Sequence, residues 1–313
     1  MPFPGTVVKK LVLAEPRGFC AGVERAVEAV RQALRTYERP LYVRHQIVHN
    51  RFVLEGLEAE GAIFVNDLEQ VPPGRRVVFS AHGVPPSEWE DAQRRNLTVI
   101  DATCPLVNKV HLEVKRYAAE GRTVILIGHS GHEEVKGTLG VAPGQVLLVE
   151  NVEQARTITV SDPEKVAATT QTTLSVDDTR EIMEALKQRF PNLVTPKTDD
   201  ICYATQNRQN AVKELVEVSD AILVVGSKQS SNANRLVEVA RSRGAPAYLI
   251  DSLADLRPQM LDGVATLGVT ASASSPEWLV AEIVDTFKAQ GATIELLSVA
   301  KERIHFSLPT AAS

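Results

Sequence analysis

The sequence predicts an α/β protein made of three pseudo-repeated α/β units with mostly parallel strands. Two observations carry that expectation. Three cysteines each follow a strand-like or polar segment and precede a helix-period pattern, and polar residues recur at matching distances after each cysteine.

The first cysteine lies in Arg17-Gly18-Phe19-Cys20-Ala21-Gly22-Val23. It follows the apolar Leu11-Val12-Leu13 and precedes a helical pattern through Val23, Ala26, Val27 and Val30. The second lies in Asp101-Ala102-Thr103-Cys104-Pro105, after Val99-Ile100 and before Val107, Val110, His111 and Val114. The third lies in Asp199-Asp200-Ile201-Cys202-Tyr203, before a helix through Val212, Leu215 and Val216. Each cysteine is therefore expected at the start of a helix.

A second register follows at 29, 28 and 28 residues, at His49, His132 and Ser230. Strand-like runs come before these positions: Leu41-Tyr42-Val43, Val124-Ile125-Leu126-Ile127 and Ile222-Leu223-Val224-Val225. A third register opens at Phe64-Val65-Asn66-Asp67-Leu68, Leu148-Val149-Glu150-Asn151-Val152 and Leu249-Ile250-Asp251-Ser252-Leu253. It leads to His82, Thr172 and Ser274. Helix-start residues come next: Ser87-Glu88-Trp89, Ser175-Val176-Asp177-Asp178 and Ser275-Pro276-Glu277. The expected units are residues 1–100, 101–198 and 199–313, with Ile304 to Leu308 as an extra strand closing the chain before Pro309.

Composition limits the class. With 313 residues, 44% hydrophobic and 23% charged, the chain can bury a large core without cross-links. A net charge of −5 and 5% aromatic residues argue against nucleic-acid binding. No apolar run reaches the roughly 20 residues of a membrane span. The stretch from Met1 to Lys10 has no signal-peptide pattern, and three cysteines are too few for a disulfide framework. A reduced cytoplasmic protein is expected.

A thiol at a helix N-terminus is stabilised as thiolate by the helix dipole. Three of them, one per unit, would converge on a pseudo-threefold axis as soft ligands. The separations of 84 and 98 residues lack the short paired spacing of structural zinc sites. Zinc stays open. An iron–sulfur cluster on three cysteines would leave one iron without a protein ligand, able to polarise a substrate oxygen while the cluster supplies electrons.

Around these thiols the sequence places His49, Asn50, His82, His132, Glu134, Thr172, Thr173, Ser230, Ser231, Asn232 and Ser274 at strand carboxyl ends, where open α/β sheets build their sites. Hydroxyls, amides and imidazoles suit a phosphate or diphosphate. Cations are scarce, Lys228 excepted, so protonated histidine is expected to supply positive charge. Glu134, beside His132, is the candidate proton donor, with a raised pKa. The pair His45 and His49 has zinc-helix spacing, but its segment reads as extended or loop-like.

The quoted segments, together with His49-Asn50-Arg51, Ser80-Ala81-His82-Gly83-Val84, Thr170-Gln171-Thr172-Thr173-Leu174-Ser175 and Ser230-Ser231-Asn232, resemble the 4-hydroxy-3-methylbut-2-enyl diphosphate reductase family of the non-mevalonate isoprenoid pathway. The likeness runs from about residue 10 to 309. It implies a cloverleaf of three α/β domains around a 4Fe-4S cluster bound by Cys20, Cys104 and Cys202. By the same resemblance, His49, His82, His132, Thr173, Ser230, Ser231, Asn232 and Ser274 hold the substrate diphosphate. Glu134 delivers a proton, and Thr172 contacts the substrate hydroxyl. Electrons come from a ferredoxin- or flavodoxin-type donor, and the products are isopentenyl and dimethylallyl diphosphate. Glu133, Ala233 and Ser272 depart from the family pattern, where proline, serine and glycine are frequent. Two other readings use the same residues: a metal-dependent phosphoester hydrolase, and a diphosphate-binding protein without turnover. Glu134 argues against the second, since binding an anion has little need of a carboxylate facing it.

Overall fold

The computed structural model describes residues 8–309. Most of the Met1–Lys10 stretch read for a signal peptide, and the last four residues of the third expected unit, lie outside the described residues.

The first third of the chain forms β1 (Lys10–Glu15), α1 (Ala21–Thr36), β2 (Leu41–Arg44), α2 (Arg51–Ala59), β3 (Ala62–Val65), β4 (Arg76–Phe79), α3 (Pro86–Arg94) and β5 (Thr98–Asp101). The middle forms α4 (Pro105–Ala119), β6 (Thr123–Ile127), α5 (Glu133–Leu139), β7 (Val146–Val149), α6 (Val152–Thr157), β8 (Val166–Thr170) and α7 (Val176–Arg189). The last third forms α8 (Tyr203–Val218), β9 (Ala221–Val225), α9 (Ser231–Ser242), β10 (Ala247–Ile250), β11 (Thr266–Ala271), α10 (Glu277–Ala289) and β12 (Thr293–Ser298). The α/β class and the parallel sheets follow the sequence expectation: among the described residues every strand pair is parallel.

The described residues form three sheets, ordered β10-β9-β11-β1-β12, β3-β2-β4-β5 and β7-β6-β8. The chain divides into two compact units. One comprises the chain through Cys20, His49–Arg51 and Tyr203–His305, and holds the five-stranded sheet. The other comprises Ala21–Val48, Phe52–Cys202 and the chain from Phe306, and holds the two smaller sheets.

Two expectations are corrected. The first strand does not join the sheet of residues 21–100; β1 lies between β11 and β12, with Lys10 opposite Thr266 and Thr293. Leu11, Val12 and Ala14 are buried on both faces of the strand, as an inner parallel strand requires. Secondly, residues 299–309 hold no regular structure, so the strand expected over Ile304–Leu308 is absent. Ile304 and Leu308 are exposed, leaving no apolar face for a strand to bury. The closing strand is β12, an edge strand with mostly exposed residues.

The sheet of β7, β6 and β8 is covered on both faces. Ile125, Ile127, Val166 and Ala168 pack with Ile182 and Leu186 of α7, while Val124, Leu126 and Ala167 pack with Val110, Val114 and Tyr117 of α4. Each fully buried leucine or isoleucine there contributes ~1.5–3 kcal/mol. The five-stranded sheet buries Val12, Ile222 and Val224 against Val212 and Leu215 of α8 and Leu236 of α9.

Helix starts follow local chemistry. Ser175 caps α7 through Oγ, which accepts the Asp178 N–H at 3.2 Å, and Asp177 and Asp178 complement the helix dipole. Helix α3 begins at Pro86, one residue before the expected Ser87, because proline suits the first helical position. Helix α10 begins at Glu277 with Pro276, not Ser275, in the capping position.

Candidate functional site

In the unit holding the two smaller sheets, the loop after β6 delivers His132 and Glu134, and the loop after β8 delivers Thr172 and Thr173. The two loops meet at Glu134. The Thr172 N–H donates to Glu134 Oε1 at 2.6 Å, and Thr172 Oγ1 donates to Oε2 at 3.0 Å. Glu134 is only 2% exposed, and burial raises its pKa to about 7 against the opposing pull of the two Thr172 bonds. The carboxyl therefore exchanges its proton near neutrality, as the sequence reading expected, although the cause is burial within the protein.

His132 caps α5, and its Nδ1 accepts the Glu134 N–H at 3.2 Å. An Nδ1 that accepts leaves Nε2 as the ring nitrogen able to donate. His82 stands edge-to-face with His132, ring centroids 5.7 Å apart, and its Nδ1 lies 3.4 Å from Ser80 Oγ. Thr173 Oγ1 accepts from Gln171 Nε2 at 3.1 Å, while Gln171 Oε1 accepts the His129 N–H at 3.1 Å. Gln171, which the sequence reading passed over, thus ties the two loops together.

Two of the three cysteines lie beside these loops. Cys104 occupies the capping position of α4, with Pro105 next, and its N–H donates to the Ala81 carbonyl at 3.0 Å, one residue from His82. The Cys202 N–H donates to the Thr172 carbonyl at 3.0 Å, and Tyr203 begins α8. Asp200 secures that segment. Its Oδ2 accepts from Thr169 Oγ1 at 2.6 Å and from the Thr170 N–H at 3.2 Å, and its Oδ1 pairs with Lys109 Nζ at 3.2 Å.

Glu133, one of the family departures, pairs with His45 at 2.8 Å and with Lys136 at 2.8 Å. The His45 hydrogen bond holds the Glu133 pKa down to about 2. His45 is not helical, with φ 59, as the rejection of the zinc-helix reading required. Beneath the same region lies His111, whose pKa burial lowers to about 4, so its ring is neutral. Gly83 packs on it: a Cβ there would come within 2.9 Å of His111 Cε1, and the backbone has φ +77.

In the unit holding the five-stranded sheet, Cys20 is fixed through its backbone. Its N–H donates to the Ala273 carbonyl at 3.3 Å, and the Gly18 N–H to the Ala271 carbonyl at 3.2 Å. Arg208 of α8, fully buried, clasps the loop from below. It donates to the Gly18 carbonyl from Nη2 at 2.8 Å and from Nε at 3.2 Å, and pairs through Nη1 with Glu302 Oε1 at 3.0 Å. Sequence periodicity could only place Arg208 on the apolar stripe with Val212 and Leu215. A charge on that stripe is the signal that it has buried partners.

The same unit brings together the ends of β9 and β11. Ser230 caps α9 by accepting the Ala233 N–H at 3.3 Å, and Ser231 is the first residue of that helix. The buried Asn232 accepts the Ala273 N–H on Oδ1 at 3.0 Å. Ser274 Oγ donates to the His49 carbonyl at 3.2 Å, and Asn50 is buried beside it in sequence.

None of the three cysteines is in a disulfide, and all are half-buried. Each immediately precedes a helix, so the donor set consists of thiols whose thiolates the helix dipole favours, a set suited to iron–sulfur chemistry. Among the described residues no group of three or more His, Cys, Asp or Glu side chains is spaced to hold a single metal ion, and no helix is long and apolar enough to cross a membrane.

A family model described as LytB protein matches residues 11–288. A relative from Azoarcus sp. (strain BH72) is 53% identical over 301 residues, covering 96% of each chain. One from Pseudomonas putida (strain GB-1) is 53% identical over 305 residues, covering 96% of this chain and 97% of the relative. Both are named 4-hydroxy-3-methylbut-2-enyl diphosphate reductase. The solved structure of the E-1-hydroxy-2-methyl-but-2-enyl-4-diphosphate reductase from Plasmodium falciparum superposes with a TM-score of 0.94 at 42% identity, covering 96% of both chains.

Proposed function

The chain belongs to the LytB protein family, and from that premise we propose that it reductively removes the allylic hydroxyl of 4-hydroxy-3-methylbut-2-enyl diphosphate. It is an oxidoreductase. The products are isopentenyl and dimethylallyl diphosphate, the last step of the non-mevalonate pathway. Two electrons and two protons enter; one proton leaves with the hydroxyl as water and the other ends on the carbon skeleton.

In this reading Cys20, Cys104 and Cys202 hold a 4Fe-4S cluster. When bound, the cluster supplies electrons from a ferredoxin- or flavodoxin-type donor and an iron that lacks a protein ligand. The protein works in the cytoplasm. His49, His82, His132, Thr173, Ser230, Ser231, Asn232 and Ser274 bind the diphosphate. His132 does so through its Nε2–H.

The observation that carries the reading is the buried Glu134–Thr172 pair. A carboxyl with a pKa of about 7 holds a proton at working pH without giving up its capacity to release it. With the proton on Oε2, the 3.0 Å bond reverses: Glu134 donates to Thr172 Oγ1, and the threonine's own hydrogen turns toward the departing oxygen. Glu134 thus supplies the first proton, directly or through Thr172.

Anaerobic visible and electron paramagnetic resonance spectra, with iron and sulfide assays, test the proposal. A brown protein with about four irons and matching sulfide, whose spectrum changes when the hydroxylated diphosphate is added, is expected. A colourless protein carrying stoichiometric zinc, unchanged by anaerobic reconstitution, would overturn it.

A further inference from the structure

Ser272 follows β11 and is fully buried, with its hydroxyl touching two others: Ser274 Oγ at 3.2 Å and Ser275 Oγ at 2.9 Å. It also closes against Gly226, where an added Cβ would come within 2.9 Å of Ser272 Oγ, so this hydroxyl has little room to move away.

Counting hydrogens fixes the direction of the chain. The Val225 carbonyl can only accept, and it receives the Ser275 Oγ–H at 2.8 Å together with the Ser272 N–H at 2.8 Å. A hydroxyl has one hydrogen, so that of Ser275 is committed and Ser272 must donate across the 2.9 Å contact. Ser272 then offers Ser274 only a lone pair. The single hydrogen of Ser274 has two acceptors at the same 3.2 Å, Ser272 Oγ and the His49 carbonyl. In the free protein Ser274 is therefore a donor turned inward.

We infer that Ser272 is a positioning residue for the diphosphate site. When Ser274 turns its hydrogen to a phosphate oxygen, Ser272 swings its own hydrogen from Ser275 Oγ to Ser274 Oγ. No donor is lost in the exchange, because Ser275 still donates to Val225, and Ser274 then accepts and donates at once. A hydroxyl that accepts a hydrogen bond is a stronger donor to the next group in the chain. The device favours a ligand that presents acceptor oxygens only, as diphosphate does. It deepens the function proposed above and rests on Ser274 belonging to the diphosphate site.

Calorimetric titration with inorganic diphosphate, alongside steady-state kinetics of the cluster-loaded enzyme, tests it on Ser272→Ala, Ser274→Ala and the double variant, with Ser272→Gly as a second removal of the hydroxyl. Loss of Ser272's hydroxyl should weaken diphosphate binding about 3- to 10-fold. KM should rise by the same factor with kcat unchanged, and the double variant should bind no more weakly than Ser274→Ala. A weakened Ser274→Ala beside an unaffected Ser272→Ala overturns the relay alone, as does a Ser272 effect that persists in full without Ser274. Unchanged affinity in Ser274→Ala instead removes Ser274 from the site and overturns the reading on which the relay rests.

Discussion

Thr172 gives both of its polar hydrogens to one carboxylate, that of Glu134: its N–H to Oε1 at 2.6 Å and its hydroxyl to Oε2 at 3.0 Å. Both bonds favour the ionised acid, yet burial outweighs them and the pKa rises to about 7. The pair thereby holds the carboxyl in place while leaving its proton available.

Activity should follow that proton. As a donor, Glu134 must be protonated, so kcat/KM is expected to fall as pH rises through about 7. Glu134→Gln should bind substrate but lose about 100-fold or more in turnover. Thr172→Val removes a bond that lowers the pKa, so the falling limb should move to higher pH. A pH profile of each variant measures this, and an unmoved limb in Thr172→Val would remove the hydroxyl bond from control of Glu134.

Stability should show the converse. A carboxyl whose folded pKa lies above its unfolded value of 4.5 destabilises the fold progressively between about pH 4.5 and 7, and fully above that. A glutamine side chain in place of Glu134 would accept the Thr172 N–H on its oxygen and donate to Oγ1 from its nitrogen, with no charge to bury. Glu134→Gln is therefore expected to stabilise the cluster-free protein by about 1–3 kcal/mol at pH 8, and by less at pH 5. Urea unfolding at the two pH values checks the sign.

Arg208 offers a different test. Its guanidinium is wholly buried and bonds the Gly18 carbonyl and Glu302. Removing one member of a buried pair strands the other, so Arg208→Ala should cost about 3–5 kcal/mol. Because the clasped loop carries Cys20, iron and sulfide content should fall as well. Arg208→Lys should restore only part of either, since an ammonium cannot reproduce the fork that holds Gly18 and Glu302 together.

Serine at Cys20, Cys104 or Cys202 should impair both cluster retention and turnover at each position. Iron and sulfide assays after anaerobic purification provide the readout. In the proposed cluster one iron lacks a protein ligand, and mild oxidation of the native protein should release that iron first. A fully loaded, fully active variant at any of the three positions would exclude that cysteine as a ligand.

Much of this was legible in the sequence because it is local. Strand-loop-helix order, the cysteines ahead of α1, α4 and α8, and Ser175 as a cap all follow from neighbours within a few residues. Pairing partners were not. Nothing in Lys10–Glu15 says that its neighbours are β11 and β12, more than 250 residues away, and the segment expected as a strand at Ile304–Leu308 joins no sheet. At the site, the raised pKa of Glu134 was readable from its type and place. The bond from the Glu134 N–H to His132 Nδ1 was not, because spacing does not tell which atom a backbone donor reaches. Arg208 escaped notice for a similar reason, and Ser272 was legible only as a departure from the family pattern: their partners are three-dimensional ones that sequence spacing does not reveal.

The position of β1 also governs when the protein can finish folding. Its flanking strands are the last two among the described residues, so the five-stranded sheet cannot close around it until the chain through Ser298 has left the ribosome. Residues 21–202, whose two sheets draw on nearby strands, can fold first, while the amino-terminal strand and the loop bearing Cys20 wait. Loading of a cluster that needs Cys20 is therefore expected only after β12 has emerged. Pulse-labelled chains released short of Thr293 should leave residues 8–20 open to protease.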